Sequence, residues 1–556
     1  MEPSPARPLH DEADAPPTTP NEISQPAPIR EVVNEPVLQG RDSLMHVGLT
    51  AIGLSGLVLL GISWLQRVWT DGHRWLTGGV TLLVVAHVAI WFARWMSLSR
   101  MRRPKPVDGA TGLRVAAVTT FVASQEPLAM LELTLDAMVR MSEAHDTWVL
   151  DEEDDPAVQE LCARLGARHF SRARRPEFQM AAGSLRAGTK HGNYNAWLAE
   201  IGYASYDVLA MFDPDHVPDA NYLQRTLGYF RVEDVGFVQP PQVYYNQKAG
   251  LVARGAAEES YGYYSSHLMA SYAMGHTVVI GSHGLHRLSA LHQVGGLPAH
   301  DAEDLYLTIL YRAAGWRGVF VPEVLALGMT PTDWAAYLGQ QLRWARSLLD
   351  LKLRVLPRMS RHLPLFEKLI NLAHGAFYMR ALLIPAAYLL LVGMLLTNDA
   401  PAFLRPRAMI TLGAIFLLLG ALDRFRQRFY LAPQYERGVH WRAVLMQFAK
   451  WPVFIRAVLE VVSGRRVPYL LTSKRGRGTR SRALAPVQIS VAALMALVWW
   501  IGTQWHYELE LSLTVSAWTV IAISLGIAWS ESLTGGRPYR EDLYRERRPD
   551  AFRAPR

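Results

Sequence analysis

The sequence predicts an α/β domain with a Rossmann-like, mainly parallel sheet, set beside an α-helical transmembrane region of about six spans with interfacial helices. Three observations predict it. The 556-residue chain is 50% hydrophobic and only 19% charged, below the roughly 25% usual for soluble domains. Six apolar runs flank one long stretch that holds no such run. Within that stretch, short apolar runs alternate with helical patterns, which is the mark of a parallel sheet.

Taken in order, residues 1–43 are rich in Pro, Ala, Glu and Asp without apolar period and read as a disordered cytosolic tail. The first apolar run starts too late for a signal peptide. Val47–Leu65 carries no charge and is long enough for about 30 Å of hydrocarbon. Leu76–Ala93 is the second span, so residues 44–97 form two transmembrane helices. Arg100, Arg102, Arg103 and Lys105 follow, placing the next block in the cytoplasm. That block, residues 105–360, is expected to be the cytosolic soluble domain. Strands are expected at Arg114–Val122, Thr147–Leu150, Arg168–Ser171, Val208–Phe212 and Gly318–Val321. Helices are expected at Leu128–Met141, Ala157–Leu165 and Asn195–Ile201, and from Glu303 through Tyr311.

Residues 361–532 return to membrane character, with spans at Phe377–Leu396, Ala408–Leu422 (marginally short), Leu484–Ile501 and Leu511–Trp529. Trp441–Val462 contains Arg442, Lys450, Pro452, Arg456 and Glu460, and reads as an amphipathic helix at the inner interface rather than a span. Residues 533–556 are a basic cytosolic tail. The basic flanks put both termini inside an inner (plasma) membrane. The net charge of +8 and the 17 tryptophans suit a lipid surface or a charged substrate, and nucleic acid is not expected. The single cysteine, Cys162, excludes an internal disulfide and reads as a small buried hydrophobe. His87 and Gln488 are polar groups within spans, read as helix packing, and Arg380 reads as snorkelling to the interface.

The chemistry starts at Met211–Leu223, MFDPDHVPDANYL. Asp213 and Asp215 follow the strand Val208–Phe212, and ligands of parallel sheets bind beyond the carboxyl ends of strands. D-x-D there suits a hard divalent cation, Mg²⁺ or Mn²⁺, although Asp-Pro-Asp alone is often only a turn. Asp219 reads as a turn or cap residue. Glu303 and Asp304 open a helix, where acids are common caps but also serve as proton acceptors. Gln340, Gln341, Arg343 and Trp344 offer an amide, a fixed charge and a flat aromatic face.

D-x-D, then E-D, then Q-x-x-R-W resembles the signature of processive family 2 glycosyltransferases such as bacterial cellulose synthase catalytic subunits, with hyaluronan synthases more distant. Ser124–Pro127 is similar to their Y-N-E-P turn, Leu150–Glu152 to their D-D element, Lys190–Asn195 to K-A-G-N-x-N, and Phe237–Pro241 to V-Q-T-P. Ile280-Gly281-Ser282 stands where F-F-C-G-S is usual, and Tyr469–Lys474 is similar to the gating loop, expected near residues 465–482. The chain departs at Ala302 for the usual Thr, at Gln341 for an Arg, and at Ile280 for the Cys. About 27 residues after Trp529 leave too little for a PilZ domain.

The resemblance implies a glycosyltransferase A-type fold and an inverting hexosyltransferase that polymerises sugar from a UDP-sugar, with UDP-glucose to a β-glucan as leading case. It implies export of the growing polysaccharide through the lipid bilayer, with room for a periplasmic or outer accessory subunit. By the same resemblance, Asp304 is the general base. Asp213 and Asp215 hold the metal, with Asp213 also orienting the donor. Glu126, Asp151, Lys190, Arg343, Thr472 and Lys474 contact the donor, and Glu303, Gln340 and Trp344 the acceptor. Two rivals stay open: a non-processive transferase acting on a lipid acceptor, and a membrane transporter or scaffold with an inactive domain.

Overall fold

The structure, a computed structural model, describes residues 30–68, 73–107, 112–375, 378–400, 409–464 and 484–534. Its catalytic block is a seven-stranded sheet. In chain order the strands are Val115–Phe121 (β1), Asp146–Asp151 (β2), Arg168–Phe170 (β3), Val208–Phe212 (β4), Val235–Gln239 (β5), His283–Arg287 (β6) and Arg317–Phe320 (β7). Across the sheet the order is 7-5-6-4-1-2-3. β6 runs antiparallel to both β4 and β5, while the other pairings are parallel.

The central strands are apolar because both faces are covered. Every residue of VLAMF in β4 is buried, and all but Thr120 in β1. The register sets Phe121 opposite Asp151 and Thr119 opposite Phe212. The carboxyl ends of β1, β2 and β4 therefore deliver their following loops to one edge of the sheet. β6 enters there from the opposite direction, with His283 opposite Phe212, so residues just before it meet residues just after β4. The backbone N–H of Asp213 donates to the Ser282 carbonyl at 2.6 Å.

One helix starts earlier than expected. It spans Lys190–Trp197 rather than beginning at Asn195. Thr189 is the reason, since its hydroxyl accepts the Gly192 N–H and caps the helix. Lys190 thus sits on a fixed first turn. Cys162 is buried with Phe121, Leu131, Val149 and Val158, as expected of a small hydrophobe. Asp219 is a turn residue whose side chain accepts the Asn221 N–H at 2.9 Å.

Among the described residues, five helices are long and apolar enough to cross a membrane: Gly40–Ile62, Arg74–Arg100, Tyr378–Thr397, Leu484–Trp505 and Leu511–Leu533. Five such helices make the chain a membrane protein, and among the described residues they are one fewer than the six spans expected. The run at Ala408–Leu422 belongs to an 18-residue helix, Met409–Arg426, whose last turn brings in Asp423, Arg424 and Arg426. Those three charges leave too short an apolar length for hydrocarbon. A second correction concerns the amino-terminal stretch expected to lack structure. Asn34–Pro36 forms a strand paired antiparallel with Arg102–Pro104.

The helix Trp441–Val462 ties catalytic block to membrane helices, and it is not among the five. Its Met446 packs with Val252, Trp334 and Tyr337, and its Phe454 with Ala345 and Ala381. Glu259 is the polar centre of this junction. It accepts from Lys450 Nζ at 2.7 Å, from Tyr337 OH at 2.5 Å and from the Gln447 amide. Gln488 donates to the Phe448 carbonyl at 3.1 Å, a packing role as expected. Arg380 lies within electrostatic reach of Glu259.

Candidate active site

Two acidic elements about ninety residues apart in sequence converge on Gly281. Lys190 Nζ is bonded to both Asp213 Oδ1 and the Gly281 carbonyl. On the other side of the same residue, the Gly281 N–H donates to Asp304 Oδ2 at 3.2 Å. A Cβ on Gly281 would lie 3.3 Å from that oxygen, so the bare backbone permits the approach. Asp304 also accepts the Leu305 N–H at 2.7 Å, at the start of the helix Glu303–Ala313. The peptide before Gly281 is held as well, because Ile280 N–H donates to Gln239 Oε1 at 2.8 Å. The stretch Ile280–Ser282 is therefore a rigid bridge between β5, β6 and the acidic helix.

The two acid pairs sit in different electrostatic settings. Asp304 is pushed above the usual carboxylate range by burial, and the N–H groups of Leu305 and Gly281 and the Lys190 charge only partly offset that. Glu303 is pushed up by burial and by its Asp304 neighbour, with Lys190 opposing. Burial opposes the Lys190 charge, but Asp213, Tyr194 and Glu303 outweigh it and hold the ammonium firmly protonated.

Asp213, Asp215 and His216 place one ligand atom each within 4.8 Å of one another. Two carboxylates suit a hard cation, and an imidazole is compatible with Mn²⁺ as well as Mg²⁺-type sites completed by phosphate and water. The donor set therefore fits a divalent ion, with Asp213 and Asp215 as its holders. His216 is best read as a positioning residue. His216 Nδ1 and Asp215 Oδ1 are 3.1 Å apart, and His216 Nε2 lies 2.9 Å from Gln242 Nε2. Tyr264 OH in turn donates to Gln242 Oε1 at 2.7 Å. The chain has one consistent direction: Tyr264 donates to Gln242, Gln242 to His216 Nε2, and His216 Nδ1–H to Asp215. Gly328 leaves room for the ring, since a Cβ there would fall 2.2 Å from His216 Nε2.

A second support sits under Lys190. Arg172, fully buried, pairs with Glu152 at 3.0 and 2.9 Å. Its remaining N–H groups donate to the carbonyls of Phe178, Leu185, Arg186 and Thr189. Glu152 also accepts the Gly188 N–H at 2.8 Å. One ion pair thus folds the whole 172–189 loop that presents Lys190. Neither this pair nor His216–Gln242–Tyr264 was singled out in the sequence. The adjacent H in D-P-D-H was the one signal for the second.

The other expected residues divide. Asp151 is buried at the end of β2, and its oxygens accept from Glu153 N at 3.1 Å, Asp155 N at 2.6 Å and face His169 Nε2 at 3.2 Å. Glu126 accepts the Val122 N–H at 3.1 Å, closing the turn after β1. Both acids shape loops at the donor end of the sheet. Gln340, Arg343 and Trp344 lie on the helix Trp334–Asp350, which Asp333 caps by accepting Ala336 N–H. That helix is fastened beside Glu303 and Asp304: Arg346 reaches Asp301 at 3.4 Å, and His300 reaches Asp350 at 3.1 Å. Trp344 is 40% exposed, which leaves an indole face open for stacking. Gln341 is buried and accepts from Tyr378 OH at 2.8 Å, so it packs helices. Thr472 and Lys474 lie outside the described residues, as does the expected gating loop.

The strand order 3-2-1-4-6-5-7 with β6 reversed, and acids after β4 and at the start of the Glu303 helix, agree with the mainly parallel α/β sheet that the sequence predicts. Residues 208–422 match the model of glycosyl transferase family group 2. The chain is 26% identical over 324 residues to cellulose synthase 1 of Komagataeibacter xylinus, covering 54% of this chain and 19% of that one. It is 29% identical over 231 residues to a probable glucomannan 4-beta-mannosyltransferase 3 of Arabidopsis thaliana, covering 38% and 39%. The chain thus spans well under half the length of these curated relatives. Among solved structures it is similar to the mannosyltransferase PcManGT of Pyrobaculum calidifontis in complex with GDP-Man and Mn²⁺. That match has a TM-score of 0.45 and 16% identity, over 70% of this chain and 100% of that one.

Proposed function

We propose that this chain is a membrane-embedded, inverting glycosyltransferase that extends a polysaccharide from a nucleotide-sugar donor, with UDP-glucose the leading donor and a β-glucan the leading product. The observation that carries the reading is the convergence on Gly281. It brings a cation-braced D-x-D and a buried carboxylate to the two sides of one residue.

In this reading Asp304 takes the proton of the acceptor hydroxyl as that oxygen attacks the anomeric carbon and the nucleoside diphosphate leaves from the opposite face. A raised pKa makes Asp304 a stronger base than a solvent-exposed carboxylate. Glu303 and Gln340 orient the acceptor end, and Trp344 stacks on its terminal sugar. Lys190 fixes Asp213, and Arg343 adds positive charge on the diphosphate side. Asp213 and Asp215 hold a divalent ion, which when bound neutralises diphosphate charge and assists its departure. Thr472 and Lys474 close over the nucleotide. Glu126 and Asp151 shape the nucleotide end of the cleft. The basic flanks of the helices put the domain and both termini on the cytoplasmic side of a plasma membrane, with the polymer leaving through the bundle.

The test is incubation of the purified protein with labelled UDP-glucose, other UDP-sugars and GDP-mannose. Product length is read on a gel and linkage by specific hydrolases, with Asp304→Asn as control. A long product that β-glucanases cut, absent from the variant, supports the reading. A single sugar on lipid overturns polymer synthesis. No nucleotide release from any donor overturns the enzyme and favours a scaffold.

A further inference from the structure

The nine-residue helix Leu365–Ala373 has two unlike faces, and the transfer chemistry uses neither. Leu365, Phe366, Leu369 and Leu372 are between 53% and 70% exposed. The three leucines stand at i, i+4 and i+7, which share one side of a helix, and Phe366 widens that side. Glu367 stands opposite them and is buried. Its Oε1 accepts from Arg312 Nε at 3.0 Å and Nη2 at 2.6 Å, and its Oε2 lies 3.2 Å from His276 Nδ1. At the other end of the helix, Lys352 Nζ donates to the carbonyls of Asn371 and Leu372 at 2.9 and 2.6 Å. The helix is thus fastened at both ends, with its apolar side turned outward. Arg312 lies on the helix Glu303–Ala313, so the fastening reaches the element that carries Asp304.

The charge around that side is of one sign. Residues 351–376 hold five Lys and Arg against one acid, the buried Glu367. Lys352 is spent on the helix end, and Arg354 is paired with Asp350. Arg358 and Arg361 are exposed in the segment that leads into the helix, and Lys368 stands on its flank, three residues from Leu365 and four from Leu372. The membrane-crossing helix Tyr378–Thr397 begins five residues after Ala373, which keeps the leucine row close to where that span leaves the hydrocarbon. An apolar helix side with a basic border settles in the headgroup–acyl boundary and is drawn there by anionic lipid. A second copy of this chain, paired about a two-fold axis, would set the same basic segment against itself, which like charges oppose. We propose that Leu365–Ala373 is a membrane-surface helix that seats Leu365, Phe366, Leu369 and Leu372 in an anionic bilayer, with Arg358, Arg361 and Lys368 on the headgroup phosphates. Through Arg312 and Glu367 the seat sets the height of the Asp304 helix over the lipid. It stands whether or not the glucan reading holds.

Cys162 is buried, so a thiol-reactive fluorophore goes to an introduced cysteine. Leu369→Cys and, separately, Phe366→Cys carry it on the outer side. Glu160→Cys, exposed on the helix Pro156–Leu165 of the catalytic block, is the control. The full chain is placed in phosphatidylcholine nanodiscs with a minor fraction of lipid brominated near the top of its acyl chains, either phosphatidylglycerol or phosphatidylcholine. We expect quenching at Leu369→Cys and Phe366→Cys and none at Glu160→Cys. Brominated phosphatidylglycerol should quench at least about threefold more than the same fraction of brominated phosphatidylcholine. Arg358→Gln, Arg361→Gln and Lys368→Gln together should bring that ratio to about one while quenching by phosphatidylcholine persists. Equal quenching by both lipids in the parent overturns the anionic seat. No quenching at either position overturns the lipid seat altogether, and dimers of the parent that the Leu369→Cys label disrupts, read by mass photometry, would then assign the face to a second copy.

Discussion

Two carboxylate pairs flank Gly281, and they differ in what surrounds them. Asp213 and Asp215 are met by side-chain cations or rings: Lys190 on one, His216 on the other. Asp304 is met by backbone N–H groups and Glu303 by its acidic neighbour, inside a buried helix start. Same functional group, opposite consequence. The first pair is braced by an ammonium and an imidazole, an arrangement suited to a cation and a diphosphate. The second is poised to change protonation. Environment, rather than residue type, divides the roles.

The largest effect should come from removing the proton acceptor. Asp304→Asn keeps shape and loses the base, so kcat should fall by roughly 10²- to 10⁴-fold while donor binding, read by nucleotide calorimetry, is retained. Equal loss of both would place Asp304 on the binding side of the comparison. Next comes Lys190→Met, which takes the brace from Asp213. Transfer should drop about 10²-fold. It should also move the acid limb of the kcat/KM profile upward, because Lys190 holds Asp304 and Glu303 down and its loss lets both rise. A variant with the same acid limb as the parent would show that the two pairs are not electrically linked across Gly281.

Much of this contrast was legible in the sequence, and the reasons for the rest are physical. VLAMF reads as a fully covered strand because every residue is apolar, and the acids after it are local to it. Asp304 is legible as a helix-start acid. Its raised proton affinity is not, since burial depends on β5 and the 280–282 bridge arriving from elsewhere. Lys190 was noticed by its motif, but the expected helix began only at Asn195, because the Thr189 cap is a single hydroxyl with no periodic signal. The Arg172–Glu152 pair and the Tyr264–Gln242–His216 chain join residues 20 to 48 positions apart in sequence, and no spacing rule connects them. The span at Ala408–Leu422 failed because hydropathy reads the apolar run and not the three charges in the turn that ends its helix.

A middle-sized prediction sharpens the metal side. His216→Ala should weaken activation by Mn²⁺ or Mg²⁺ by about 10- to 100-fold in half-maximal concentration, with kcat at saturating metal largely kept. Gln242→Ala should do the same more weakly, and chelation should silence the parent and both variants. If His216→Ala instead lowers kcat at every metal concentration, the ring does more than aim Asp215.

The smallest effect belongs to Glu303→Gln, and its sign separates the two pairs most cleanly. Asp304 accepts a proton only while ionised, so activity is lost as pH falls through its raised pKa. Replacing Glu303 by a neutral amide removes a neighbouring negative charge, which makes the Asp304 anion easier to sustain. The acid limb of kcat/KM should therefore move to lower pH, by less than about one unit, opposite to the shift expected for Lys190→Met. The plateau rate at higher pH should fall only modestly, since the acceptor keeps a hydrogen-bonding partner in the glutamine. A pH–rate series on the parent and both variants reads all three limbs together. Shifts of the same sign in the two variants would mean that the limb reports a group other than Asp304, and the division of labour across Gly281 would have to be redrawn.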